Sequence, residues 1–194
     1  MNITKKNNII EIICFLIFCI ITIFVSFFHE PWFDEMQAWG ISCDSLYNIL
    51  FVIPHLEGHP PLWHLILKCF SVFGINPEIG LKISNLSFMI LSIWLLIFKS
   101  PFPKYVKLLL PFTYFLFYQY SIVNRPYSIL CFFLFLSAYL YPTRNIHPYK
   151  FIFSLMGLSL SSVYGMVFAV GITIYWLIEI IKEQKKIEFY QLFY

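Results

Sequence analysis

Two stretches of the sequence, Ile9 to Phe28 and Phe151 to Ile181, hold a single charged residue each over 20 and 31 positions. A helix crosses the ~30 Å hydrocarbon core of a bilayer with about 20 predominantly apolar residues, so runs of this length and composition admit few other folds. The rest of the chain agrees, because only 12% of its 194 residues are charged and 60% are apolar, whereas a soluble domain carries about 25% charged residues. The expected class is all-α: one polytopic membrane domain spanning 1–194, with no room for a separate soluble catalytic domain. Cys14, Cys19, Cys43, Cys69 and Cys131 have no metal-ligand spacing, so neither a disulfide framework nor a zinc site is expected. The basic residues are scattered rather than clustered, which argues against nucleic acid as a partner and for membrane lipids.

Charge orients the chain. Lys5 and Lys6 precede the first run, which is too long for a secretory h-region and lacks a small-residue cleavage site, so it reads as a retained anchor with a cytoplasmic N-terminus. From His29 to Glu78 the balance reverses: six of the ten acids fall here (Glu30, Asp34, Glu35, Asp44, Glu57, Glu78) against one basic residue, Lys68. This is the expected outer loop, 29–78. Within it, Leu46, Ile49, Leu50 and Ile53 have helical spacing suited to a surface helix. Pro61 to Phe73 carries His64, Lys68 and Ser71 as one polar stripe, and its 13 residues reach only ~20 Å as a helix. It is expected to be interfacial or re-entrant.

Asn76-Pro77-Glu78 is a helix start, with an N-cap, a proline at the first helical position and an acid in the first turn. That helix runs to Phe98 as a second span. A third is expected over Tyr105 to Ser121, a short outer turn over Ile122 to Pro126, and a fourth span to Tyr141. A break near Ser161 to Gly165 divides the last apolar stretch into two more. The count is then about six transmembrane helices, with ten of the thirteen basic residues inside.

The outer loop and the Ile122 to Pro126 turn face the same side, so their polar residues can converge. Asp34 and Glu35 are the sharpest catalytic candidates, since a carboxylate at the surface can accept a proton from a hydroxyl or amine; a solvated loop or helix cap is the other reading of the pair. In Glu57-Gly58-His59-Pro60-Pro61-Leu62-Trp63-His64 the prolines fix His59 near the acids, though a Pro-terminated loop with interfacial Trp and His has the same pattern. Lys82 and Arg125 are cations on the outer side, where an anionic partner or snorkelling to the interface accounts for them.

The ordered set of Asp34-Glu35, Gly58-His59-Pro60-Pro61-Leu62, Lys82 after Gly74-Ile75-Asn76-Pro77-Glu78, Tyr120-Ser121 and Arg125-Pro126-Tyr127 resembles the N-terminal part of the GT-C glycosyltransferases. The likeness is to the bacterial branch akin to protein O-mannosyltransferases and lipid A aminoarabinose transferases, and it covers Phe24 to Ile181. It implies a bacterial inner-membrane enzyme that transfers a sugar, with inversion, from a polyprenyl-phosphate donor to an acceptor on the non-cytoplasmic face. Carried over, Asp34 or Glu35 is the catalytic carboxylate, and His59, Lys82 and Arg125 contact the donor phosphate, with Glu57, His64 and Tyr127 as further outer-face candidates. A divalent metal is used by some relatives and stays open here. Two departures stand out: Val123 occupies a position where many relatives carry an acid, and Lys82 replaces an Arg, losing its bidentate fork. The chain is also shorter than the family, which implies truncation or a complementing subunit. A non-catalytic remnant or partner subunit is therefore the second expectation. A small transporter is the third, but it would call for membrane-central charges or inverted repeats.

Overall fold

The computed structural model describes residues 2–193, with side chains over 9–182. Lys5, Lys6, Lys185 and Lys186, four of the charges used for orientation, fall outside the described side chains. Every regular element among the described residues is helical. The helices are α1 (Asn2–Ser26), α2 (Phe33–Ser42), α3 (Ile53–Glu57), α4 (Leu62–Ser71), α5 (Pro77–Lys99), α6 (Lys104–Leu109), α7 (Tyr127–Leu140), α8 (Pro148–Ser161) and α9 (Val163–Phe193). Three of them are long and apolar enough to cross a membrane: Ile9–Ser26 in α1, Pro77–Lys99 in α5 and Val163–Lys182 in α9.

Local chemistry explains the boundaries. Asn76 Oδ1 accepts the amides of Glu78, at 2.9 Å, and of Ile79, and Pro77 occupies the first turn of α5, where its missing N–H costs nothing. A π-helical turn over Asn48–Val52 leads into α3, so the surface helix continues to Glu57 rather than stopping at Ile53. Gly58 ends it at φ 67°, a left-handed conformation that glycine adopts without a Cβ clash. The chain then turns through His59-Pro60-Pro61 into α4.

The segment expected to form a single span from Tyr105 to Ser121 is broken. α6 stops at Leu109, Leu110–Phe112 form a 3-10 turn, Thr113 is extended at ψ 153°, and a π-helical turn follows over Phe115–Gln119. Pro111 supplies a reason: it has no N–H to donate back to the preceding turn, so the helical hydrogen-bond ladder is interrupted there. The predicted break near Ser161 is present, since Ser162 is extended between α8 and α9 (φ −166°, ψ 169°) and its Oγ accepts the Gly165 amide.

Contacts set the helix directions. Asn85 in α5 donates to the carbonyls of Tyr120 and Ser121 just before α7, and Lys99 at the end of α5 lies over the Tyr139 ring at the end of α7, so the two run parallel. α8 returns against α7 through a Ser137–Ser154 hydrogen bond. α9 runs back again, with Trp176 Nε1 donating to Asn145 and Glu179 accepting from Arg144. α1 lies against the far end of α5 through Phe15 and Phe98, and further along against Phe112 and Phe117 through the fully buried Phe18. One end of the molecule therefore gathers α2, α4, the start of α7 and the α8–α9 break. Lys99, Arg144 and Glu179 gather at the other.

Candidate functional site

α2 presents Asp34, Gln37, Ala38 and Ile41 on one face, the i, i+3, i+4, i+7 set of a helix. That face forms one wall of a cavity of about 350 Å³, a size that suits a small ligand or headgroup. Glu57, His59, Trp63 and His64 supply the second wall, Arg125 to Tyr127 the third and Ser161 to Tyr164 the fourth. Of the residues singled out from sequence, Asp34, Glu57, His59, His64, Arg125 and Tyr127 all reach this space.

The charges inside it are paired. Arg125 Nη1 donates to Asp34 Oδ2 at 2.5 Å across 91 residues of sequence, with 60% of the Asp34 side chain exposed at the cavity mouth. Deeper, Glu57 accepts from Gln37 Nε2 at 2.8 Å and faces His64 Nε2 at 3.8 Å. His64 Nδ1 lies 3.4 Å from the Ala38 carbonyl. Burial pushes the His64 imidazole below its ordinary pKa and outweighs the upward pull of the Ala38 carbonyl and the Glu57 carboxylate; nearby His59 lowers it further.

The remaining polar residues of α4 are occupied structurally. Lys68 Nζ donates to the carbonyls of Ser42 and Asp44, and Ser71 Oγ to that of Ser42. Lys68 and Ser71 of the polar stripe thus close the C-terminal end of α2, where a cation is favoured by the exposed carbonyls. This holds the Asp34 wall against the His64 wall.

Two sequence candidates lie elsewhere. Glu35 is fully buried, does not line the cavity, and accepts hydrogen bonds from Trp32, Asn124 and His29. Lys82 is also buried, and its ammonium is met by Glu78 one turn earlier in α5, so no external anion is needed there. Val123 is buried. Gln37 went unnoticed in the sequence, Trp63 was read only as part of the Glu57–His64 motif, and the Ser161 to Tyr164 wall only as a helix break. Gln37 was accessible from the helical period of α2; the other wall depends on the packing of α8 and α9 against the outer loop.

Among the described residues no three His, Cys, Asp or Glu side chains are grouped to hold a metal ion. A second cavity, of about 450 Å³, opens on the other side of Glu35 at the end of α1, between His29, Glu30, Trp32 and Tyr118. No family model, curated protein or solved structure matches the chain.

Proposed function

We propose that the chain is a membrane glycosyltransferase module that moves a sugar from a polyprenyl-phosphate donor to an acceptor on the non-cytoplasmic face. The observation that carries this reading is the Asp34–Arg125 pair at the mouth of a cavity also lined by His59. An ion pair this exposed contributes only ~0–1 kcal/mol, so a phosphate can replace Asp34 as the partner of Arg125 at little cost. Exchange places the donor phosphate on Arg125 and His59 and releases the Asp34 carboxylate toward the acceptor.

In the transfer step the acceptor hydroxyl gives its proton to Asp34 while its oxygen forms a bond to the anomeric carbon. The bond from that carbon to the phosphate oxygen breaks on the opposite side, and its electron pair leaves with the polyprenyl phosphate. Attack and departure on opposite faces invert the centre. Arg125 and His59 sit where negative charge accumulates on the leaving phosphate, which is the placement that lowers such a barrier. Glu57, held by Gln37 and His64, faces the sugar hydroxyls.

The helix directions support a six-traversal topology with the cavity outside and Lys99, Arg144 and Lys182 inside. In it the broken segment 104–121 and the ~21 Å helices α7 and α8 pack between the three full-length spans. A bacterial inner-membrane location and a cytoplasmic N-terminus belong to the same reading.

Binding of a short-chain polyprenyl phosphate to the purified protein in detergent tests the site, read through tryptophan fluorescence. Arg125→Gln removes a charge-assisted contact of ~1.5–3 kcal/mol and is expected to weaken binding by roughly 10- to 100-fold. Equal affinity in the two proteins counts against the assignment. The buried, apolar Val123 favours a second reading, a non-catalytic partner subunit on the same fold, which binds the lipid phosphate without transferring sugar.

A further inference from the structure

Both carboxylate oxygens of the buried Glu35 are engaged. Oε2 accepts the Trp32 amide at 2.5 Å, Oε1 accepts the Asn124 amide, and His29 Nε2 lies 3.1 and 3.0 Å from Oε1 and Oε2. The bond to Asn124 spans 89 residues of sequence and joins the start of α2 to the turn before α7. Its two ends are the immediate chain neighbours of cavity residues, since Asp34 precedes Glu35 and Arg125 follows Asn124.

We infer that Glu35 is a positioning residue: by clamping the Asn124 amide to the start of α2, it sets Asp34 and Arg125 opposite one another and fixes where the guanidinium meets a ligand phosphate. The exposed Asp34–Arg125 pair cannot impose this register itself, because an ion pair at a wet surface is weak and adjustable. A buried carboxylate can. It is an acceptor with room for several N–H donors, and the buried Asn124 amide is left without a partner if the carboxylate is withdrawn. A glutamine in its place offers one acceptor oxygen and one NH₂, which faces either the Trp32 or the Asn124 amide donor to donor. The inference depends on the cavity being a phosphate site only in its consequence for binding; the clamp is a property of the fold.

Two measurements on the full chain in detergent separate these parts. In the first, affinity for a short-chain polyprenyl phosphate is compared between Glu35 and Glu35→Gln, each with Arg125 intact and with Arg125→Gln. Because the effect is routed through Arg125, Glu35→Gln is expected to weaken binding by about 10-fold when Arg125 is present and by less than about twofold when it is absent, the non-additivity of coupled residues. Equal losses in both backgrounds overturn the positioning role. In the second, hydrogen exchange at the Asn124 amide is expected to accelerate by about 10-fold or more in Glu35→Gln while the amides of α5 keep their protection. Unchanged exchange at Asn124 overturns the clamp, whether or not any version binds the lipid. Glu35→Asp keeps the charge but falls one methylene short of Asn124, and is read in the same way if the glutamine variant does not fold.

Discussion

Successive residues of a helix are rotated by about 100°, and along α2 that rotation carries Asp34 into the cavity and Glu35 into the interior. The same step separates an exposed carboxylate with an exchangeable partner from one whose oxygens are taken by backbone amides and an imidazole. His64 offers a pH test. Its folded pKa lies below the ordinary 6.5 of an unfolded chain, so below about pH 6.5 the unfolded state binds more protons than the folded one. The stabilising contribution of the neutral ring is complete above that value and is lost as pH falls through the lowered folded pKa. The melting temperature in detergent is therefore expected to fall between pH 7 and 5, and His64→Gln to flatten the slope; parallel slopes would exclude a role for this ring. Asp34, His59, Arg125 and Tyr127 were legible as cavity residues because each sits in a short motif and the charge pattern of the sequence groups their segments together. The burial of Glu35 was not legible, since its decisive partner is a backbone amide 89 positions away, a contact that leaves no trace in local spacing.

Elements meet here through small residues and polar ends as much as through apolar faces. A Cβ on Gly157 of α8 would overlap the Phe133 ring of α7, so the two helices approach only because that position has none. Gly157→Leu is expected to cost about 1–3 kcal/mol by overpacking and to lower the melting temperature. Gly171→Leu in α9, where nothing lies within 4 Å of the added Cβ, serves as the comparison and is expected to leave it unchanged or raised, leucine being the better helix former. If the two behave alike, the close approach of α7 and α8 is not a constraint. Element boundaries at Asn76-Pro77 and Ser161-Ser162 were readable because capping and chain-breaking chemistry is local. The third expected span is not one continuous helix, for an instructive reason: hydropathy over Tyr105 to Ser121 is high throughout, and Pro111 acts on hydrogen bonding rather than on hydrophobicity. Likewise the period of His64, Lys68 and Ser71 correctly placed them on one face of α4, but periodicity does not tell water from the carbonyl end of another helix.

At the scale of the whole molecule, apolar surface is distributed as a membrane setting requires. Only 11% of the residues in the most apolar 18-residue window of Val163–Lys182 are buried although its mean hydropathy is 1.8, and only 22% of those in Ile9–Ser26. Those faces suit hydrocarbon and would be a liability in water. The cavity sits at one end of this apolar body and the cluster of Arg144, Tyr141 and Glu179 at the other. Sugar transfer at the cavity end, as proposed, is tested by following labelled sugar from polyprenyl-phosphate-linked donors with the purified chain in proteoliposomes, compared with Asp34→Asn. The native sequence is expected to transfer sugar and the variant to lose roughly 100-fold or more, the scale of a removed general base, with donor-phosphate binding retained. Transfer that survives Asp34→Asn undiminished, or lipid-phosphate binding with no transfer from any donor, would contradict the proposal.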